Sequence, residues 1–123
     1  MPLSAPAKEF VRARIDSLIQ LDIALLLQSD ASVWWSAERL GDELRIQPDV
    51  ARHALDALAS KNLLDVRIAT DLTYRFAPWH GSAAELMNEV AANHYEAREI
   101  VARGGGSAAE RFADAFRVRK NDG

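Results

Sequence analysis

Apolar side chains along this chain change their spacing from segment to segment, and each change marks an element. From Phe10 they recur every three or four residues, at Phe10, Val11, Ile15, Leu18, Ile19, Ile23, Leu26 and Leu27, which is the stripe of a helix. Leu21 and Leu25 widen that stripe until most of the circumference is apolar, as in a helix buried centrally or shared with a second chain. Gln28, Ser29 and Asp30 end it. The residues before Phe10 hold two prolines and little to bury, so residues 1–9 are expected to form a flexible arm.

Ser32 to Trp35 form a short β-prone segment. Successive strand side chains point to opposite faces, so one of Trp34 and Trp35 faces the core and the other needs a different neighbour; which is which stays open. Ser36 is placed as an N-cap, with Glu38 in the first turn of a second helix running from Ala37 to about Leu44. Arg45, Ile46 and Gln47 make a turn. Pro48 suits the first position of a third helix, which turns Val50, Ala51, Ala54, Leu55 and Leu58 inward, and Asn62 is the expected left-handed cap at its end. The period then drops to two: Leu64, Val66 and Ile68 share one face, as do Leu72, Tyr74 and Phe76, around a turn of Ala69, Thr70 and Asp71. That is a β-hairpin, closed by Pro78. Ser82 caps a fourth helix over residues 81–103, striped by Leu86, Met87, Val90, His94, Ala97 and Val101. Residues 104–123 open with three glycines as a hinge, restart a short helix at Ser107 and end in the basic run Arg117 to Lys120.

Helix, short strand, helix, turn, helix and hairpin thus follow in order. Across Ser36–Val50, on through Ala51–Leu58 and into Lys61–Val66, the sequence resembles the winged helix-turn-helix family of bacterial transcription regulators, over a little more than half the chain. Leu40, Leu44, Ile46, Val50, Leu55 and Leu58 independently allow two helices to cross over one small core. The resemblance implies a mainly α fold with a small β-hairpin wing: a winged helix-turn-helix domain over residues 10–80, followed by a C-terminal helical extension. It implies duplex DNA as partner, with the third helix in the major groove and the wing on the flanking backbone. By position, Arg52 would read guanine and His53 would touch a base or a phosphate. Arg39 and Arg45 would lie near the backbone, with Thr70, Thr73 and Arg75 on or near the wing. A homodimer built from the terminal helices is also implied, with Leu21, Leu25, Leu86, Val90, Val101, Phe112 and Phe116 as candidate contacts.

Composition narrows the chemistry. The absence of cysteine excludes disulfides, thiolate metal sites and cysteine nucleophiles. The longest apolar run, Ile23 to Leu27, is too short to cross a membrane, and the N-terminus lacks the order of a secretion signal, so a cytoplasmic protein is expected. No nucleophile–base constellation and no phosphate-cradling glycine loop is visible, so neither enzyme activity nor a cofactor is expected. Asp49, His53 and Asp56 recur at metal-ligand spacing, but without further ligands they read as a solvated helix face. His94 reads as a packed core residue.

Charge works against the DNA reading. The net charge is −3, and Ser36 to His80 carry about six basic residues against seven acidic ones. Asp49 stands at the leading end of the reading helix, where a phosphate would be repelled, and the wing turn carries Asp71 with no Lys or Arg. A winged helix that docks a protein partner through an acidic face is therefore the alternative.

Overall fold

The long apolar stripe belongs to two helices. In the computed structural model, which describes residues 2–78 and 81–103, α1 spans Ala5–Arg14 and α2 spans Leu18–Ser29. Ile15 leaves α1 in an extended conformation, and the Ser17 hydroxyl accepts the Gln20 N–H to start α2. Gln20 in turn accepts the N–H of Asp16, so each side of the break satisfies the other's free backbone groups. α2 packs on α4, β3 and α5, which buries much of its apolar circumference and leaves Leu18 and Ile19 exposed.

The expected flexible arm is corrected at the same end of the chain. Ser4 caps α1 by accepting the Ala7 N–H, and Pro6 falls in the first turn, where a missing N–H leaves nothing unsatisfied. Leu3 and Ala7 are buried. Glu96 and Glu89, on the C-terminal helices, accept the N–H groups of Leu3 and Ser4 respectively. Leu3 and Ser4 are thus held by helices that follow the hairpin.

Ser36 caps α3 (Ala37–Leu44) as expected, and Pro48 opens α4 (Pro48–Ser60). Asn62 is left-handed, with φ 65°; so is Arg45, with φ 57°, in the turn between α3 and α4. Three strands follow the order β1-β3-β2, all antiparallel: β1 (Trp35–Ser36), β2 (Leu64–Ile68) and β3 (Leu72–Phe76). The expected fourth helix is two: α5 (Gly81–Ala92) and α6 (94–103), separated at Asn93. There the Asn93 N–H is shared between the carbonyls of Glu89 and Val90. The fold is mainly helical with a three-stranded sheet, a winged helix-turn-helix with a C-terminal helical extension.

One core runs through these elements, centred on Leu21, Ile23, Leu27, Leu40, Leu55, Leu58, Leu63, Tyr74, Met87 and Val90. Three expectations about it change. Val50 is 41% exposed, because the inner face of α4 is set by Ala51, Leu55 and Leu58, and Val50 lies at its edge. On the hairpin, Leu64 is buried but Val66 is exposed and Ile68 is 83% exposed: β2 runs out beyond the helices that cover its base. His94 is only half-buried, its ring 4.3 Å from that of Tyr95.

The candidate dimer contacts divide in the same way. Leu21, Val90 and Val101 are buried inside the chain's own core and offer no surface to a partner. Leu25 and Leu86 are half-buried against that core, while Phe112 and Phe116, like the glycine hinge, the basic run, Trp79 and His80, lie outside the described residues. No described helix is long and apolar enough to cross a membrane.

Candidate nucleic-acid interface

The relation between α3 and α4 is fixed by backbone contact. A Cβ on Gly41 would stand 2.8 Å from the carbonyl oxygen of Ile46 and 3.4 Å from Pro48 N, so only glycine lets the turn fold back this closely. Ile46 N–H bonds to Gly41 O at 2.9 Å, and the left-handed Arg45 reverses the chain. Arg45 itself is exposed at this corner.

α4 turns Asp49, Arg52, His53 and Asp56 to the surface, as its periodicity predicts. Asp56 is engaged: the Tyr74 hydroxyl of β3 donates to its Oδ1 and ties α4 to the sheet. Tyr74 is buried, and its pKa is pushed up to about 12, first by burial, then by that hydrogen bond and the negative charge of Asp56; nearby Arg52 pulls it down. The N-terminal ends of α3 and α4 and the wing tip enclose a hollow of about 240 Å³. Glu38, Asp49 and Asp71 face it, with Arg52 as the one lining cation among the described residues, which makes the cleft between helix and wing acidic there.

Positive charge collects around the two tryptophans instead. Trp35 is the inward one, 7% exposed, and the guanidinium of Arg39 lies 4.6 Å from its ring. Its indole N–H is buried with no hydrogen-bond partner among the described residues. Trp34 projects to the outer face of the sheet, where Arg67 and Arg75 lie 4.5 Å and 4.6 Å from its ring. Arg75 also meets Asp65, its cross-strand partner, at 3.4 Å, which holds it at the base of the wing rather than at the tip. Thr73 pairs with Ser36 on one side and Arg67 on the other, half-buried in the sheet, while Thr70 is exposed in the wing turn.

The structure therefore brings Arg52 and Thr70 to one cleft, turns His53 to the flank of α4 that faces α2, and places Arg75 at the wing base. Arg67 was missed by the sequence reading, although the two-residue period that pairs Asp65 with Arg75 puts Arg67 on the same outer face. Among the described residues no three histidine or carboxylate groups could hold a metal ion, and of Asp49, His53 and Asp56 the last is engaged by Tyr74.

A helix-turn-helix backed by an antiparallel sheet, with a hairpin projecting beside the second helix, defines a winged-helix fold. No protein-family model matches the chain, and no curated protein matches it. Among solved structures it is similar to a double mutant of Lactococcus lactis ZitR in apo form, with TM-score 0.51 and 17% identity, covering 85% of this chain and 80% of that one. A second structure of that mutant gives TM-score 0.51 and 18% identity, over 85% of this chain and 72% of that one. At this identity the likeness is one of fold.

Proposed function

We propose that this protein binds duplex DNA as a transcription regulator, with α4 entering the major groove and the sheet lying against the flanking backbone. The observation that carries the reading is the exposed face of α4, on which Arg52 and His53 both reach the surface. In this arrangement Arg52 reads a base edge and His53 contacts a base or a phosphate. Arg39 and Arg67, each seated on a tryptophan, and Arg45 meet phosphates; Thr70 lies against the backbone, and Thr73 and Arg75 shape the wing base. The likeness to ZitR supports this reading through the fold. A homodimer completes it by placing two reading helices on one duplex, with the half-buried Leu25 and Leu86 as the described contact residues.

The acidic cleft of Glu38, Asp49 and Asp71 favours a second reading, in which this face docks a basic protein partner. Fluorescence anisotropy with a random-sequence duplex separates the two. Binding at low salt that weakens as salt rises, and weakens further in Arg52→Ala, supports the DNA reading. Absence of binding at low salt, or an Arg52→Ala variant that binds as tightly as the parent, removes α4 from the interface and leaves the protein-docking reading.

A further inference from the structure

Ile19 on α2 and Val50 on α4 are large apolar side chains that face outward, and together they line two adjoining hollows. The first, about 360 Å³, follows α4 past His53 and Ala54. The second, about 680 Å³, passes the turn at Arg45 and Ile46. They form an apolar trough along one flank of the reading helix, with Asp42 and Asp49 at its rim.

The path of the C-terminal helices points to what fills it. Gln28, late in α2, bonds to Asn88 on α5, and Asp22, earlier in α2, pairs with Arg98 on α6. The C-terminal helices thus travel back along α2 toward its N-terminal end, and Val101 is still buried against the core. On that course α6 runs toward the end of α2 that carries Leu18 and Ile19. The following glycines, 104–106, can span about 10 Å when extended. Beyond them come Phe112 and Phe116, four residues apart, accompanied by Arg111, Arg117, Arg119 and Lys120 against Glu110 and Asp114.

We propose that the segment Ser107–Lys120 docks in this trough, with Phe112 and Phe116 over Ile19 and Val50 and its basic end toward Asp42 and Asp49. Docked there, it covers the flank of α4 that carries Asp49 and His53 and competes with duplex for that helix. The competition rests on the DNA-binding reading; the docking does not.

The chain has no cysteine, so a single pair can be introduced cleanly. Ile19→Cys combined with Phe116→Cys is compared with Ile68→Cys combined with Phe116→Cys, in the full chain at low micromolar concentration in a glutathione buffer. Both isoleucines are exposed, so neither substitution opens the core. An intramolecular disulfide favoured about tenfold or more in the Ile19 pair is the expected result. Equal yields in the two pairs overturn the proposal, because the segment then has no preferred seat. Disulfides formed mainly between chains overturn it in favour of a second copy's segment. Phe112→Glu with Phe116→Glu is expected to tighten duplex binding several-fold; a chain that forms the Ile19 disulfide yet binds no duplex in either form keeps the docking and removes the DNA reading alone.

Discussion

Gly41→Ala places one methyl group against backbone at the centre of the helix-turn-helix. The new Cβ would lie 2.8 Å from Ile46 O, several tenths of an ångström inside ordinary contact, and close to Pro48 N and Cα as well. None of these atoms can swing aside as a flexible side-chain tip would. Ile46 is held by its hydrogen bond to Gly41 O, Arg45 before it is already left-handed, and Pro48 after it has a fixed φ. Helix propensity favours alanine over glycine by about 1 kcal/mol. Overpacking of a tight site costs about 1–3 kcal/mol, so a net destabilisation of about 1 kcal/mol is expected. Asp42→Ala supplies the reference: it is exposed in the same helix, gains propensity without a clash, and is expected to leave stability unchanged or slightly raised. Urea unfolding followed by circular dichroism reads the difference. With a slope of about 1–3 kcal/mol per molar, the midpoint of Gly41→Ala should fall by roughly 0.3–1 M. A Gly41→Ala chain as stable as Asp42→Ala would refute the reasoning, because the turn would then have yielded and the 2.8 Å approach would not be what fixes α4 against α3.

Other outcomes follow from the core and the sheet. Leu55→Ala empties a fully buried position and should cost about 2–5 kcal/mol in the same assay, whereas Val50→Ala, at the exposed edge of α4, should cost under about 1 kcal/mol; equal losses would mean that α4 is rotated. Tyr74, in a Tyr95→Phe background, should show tyrosinate absorbance at 295 nm rising only near pH 12 in the folded chain and near pH 10 in urea. Because the folded pKa is the higher one, the associated stability is fully present below pH 10 and is lost as pH rises through 12. Two units correspond to a few kcal/mol at most, and a folded-state titration near pH 10 would dismiss the Tyr74–Asp56 tie. Ser17→Ala removes the cap at the α1–α2 break and should destabilise by about 1 kcal/mol; no change would mean that Gln20 alone sustains the break.

Where a residue's role is decided by its immediate neighbours, the sequence reads correctly. Ser36 as a cap, Pro48 at the head of α4 and Asn62 in the left-handed region are all such cases. The break between α1 and α2 escaped for an instructive reason. Ile15 and Leu18 fit a continuous helical stripe, while the competing signal, Ser17 followed by Gln20 three residues on, is polar and silent in a hydrophobic pattern. Leu3 and Ala7 were read as unattached because the C-terminal helices that cover them arrive more than eighty residues later. The tryptophan pair shows the same limit inside the candidate site. Alternation requires that Trp34 and Trp35 part, but only pairing with β3 sends Trp35 inward and sets Trp34 beside Arg67 and Arg75. Periodicity likewise exposes Asp56 on α4 without disclosing that Tyr74, eighteen residues on, engages its carboxylate.

Placement of charge, rather than its sum, sets how strongly such a module could hold DNA. Of the basic residues from Ser36 to the wing, Lys61 turns toward Asp16 and Ala13 O, and Arg75 is shared with Asp65. Arg39, Arg45, Arg52 and Arg67 remain without an ion pair among the described residues. If Arg39, Arg45 and Arg67 meet phosphates while Arg52 reads a base edge, one chain releases about three counterions, and log K should fall with log salt at a slope of about −2.7. A two-fold dimer on one duplex doubles this to about −5.4. The slope therefore counts chains on the duplex as well as contacts, and sedimentation of the same complex checks the count independently. Arg67→Ala should flatten the slope by about 0.9 per chain without altering sequence preference, while Arg52→Ala should relax preference at one base pair and leave the slope nearly unchanged. A slope that stays near zero while binding persists would mean that these arginines meet no phosphate, and that the tryptophans hold Arg39 and Arg67 for the stability of the sheet alone.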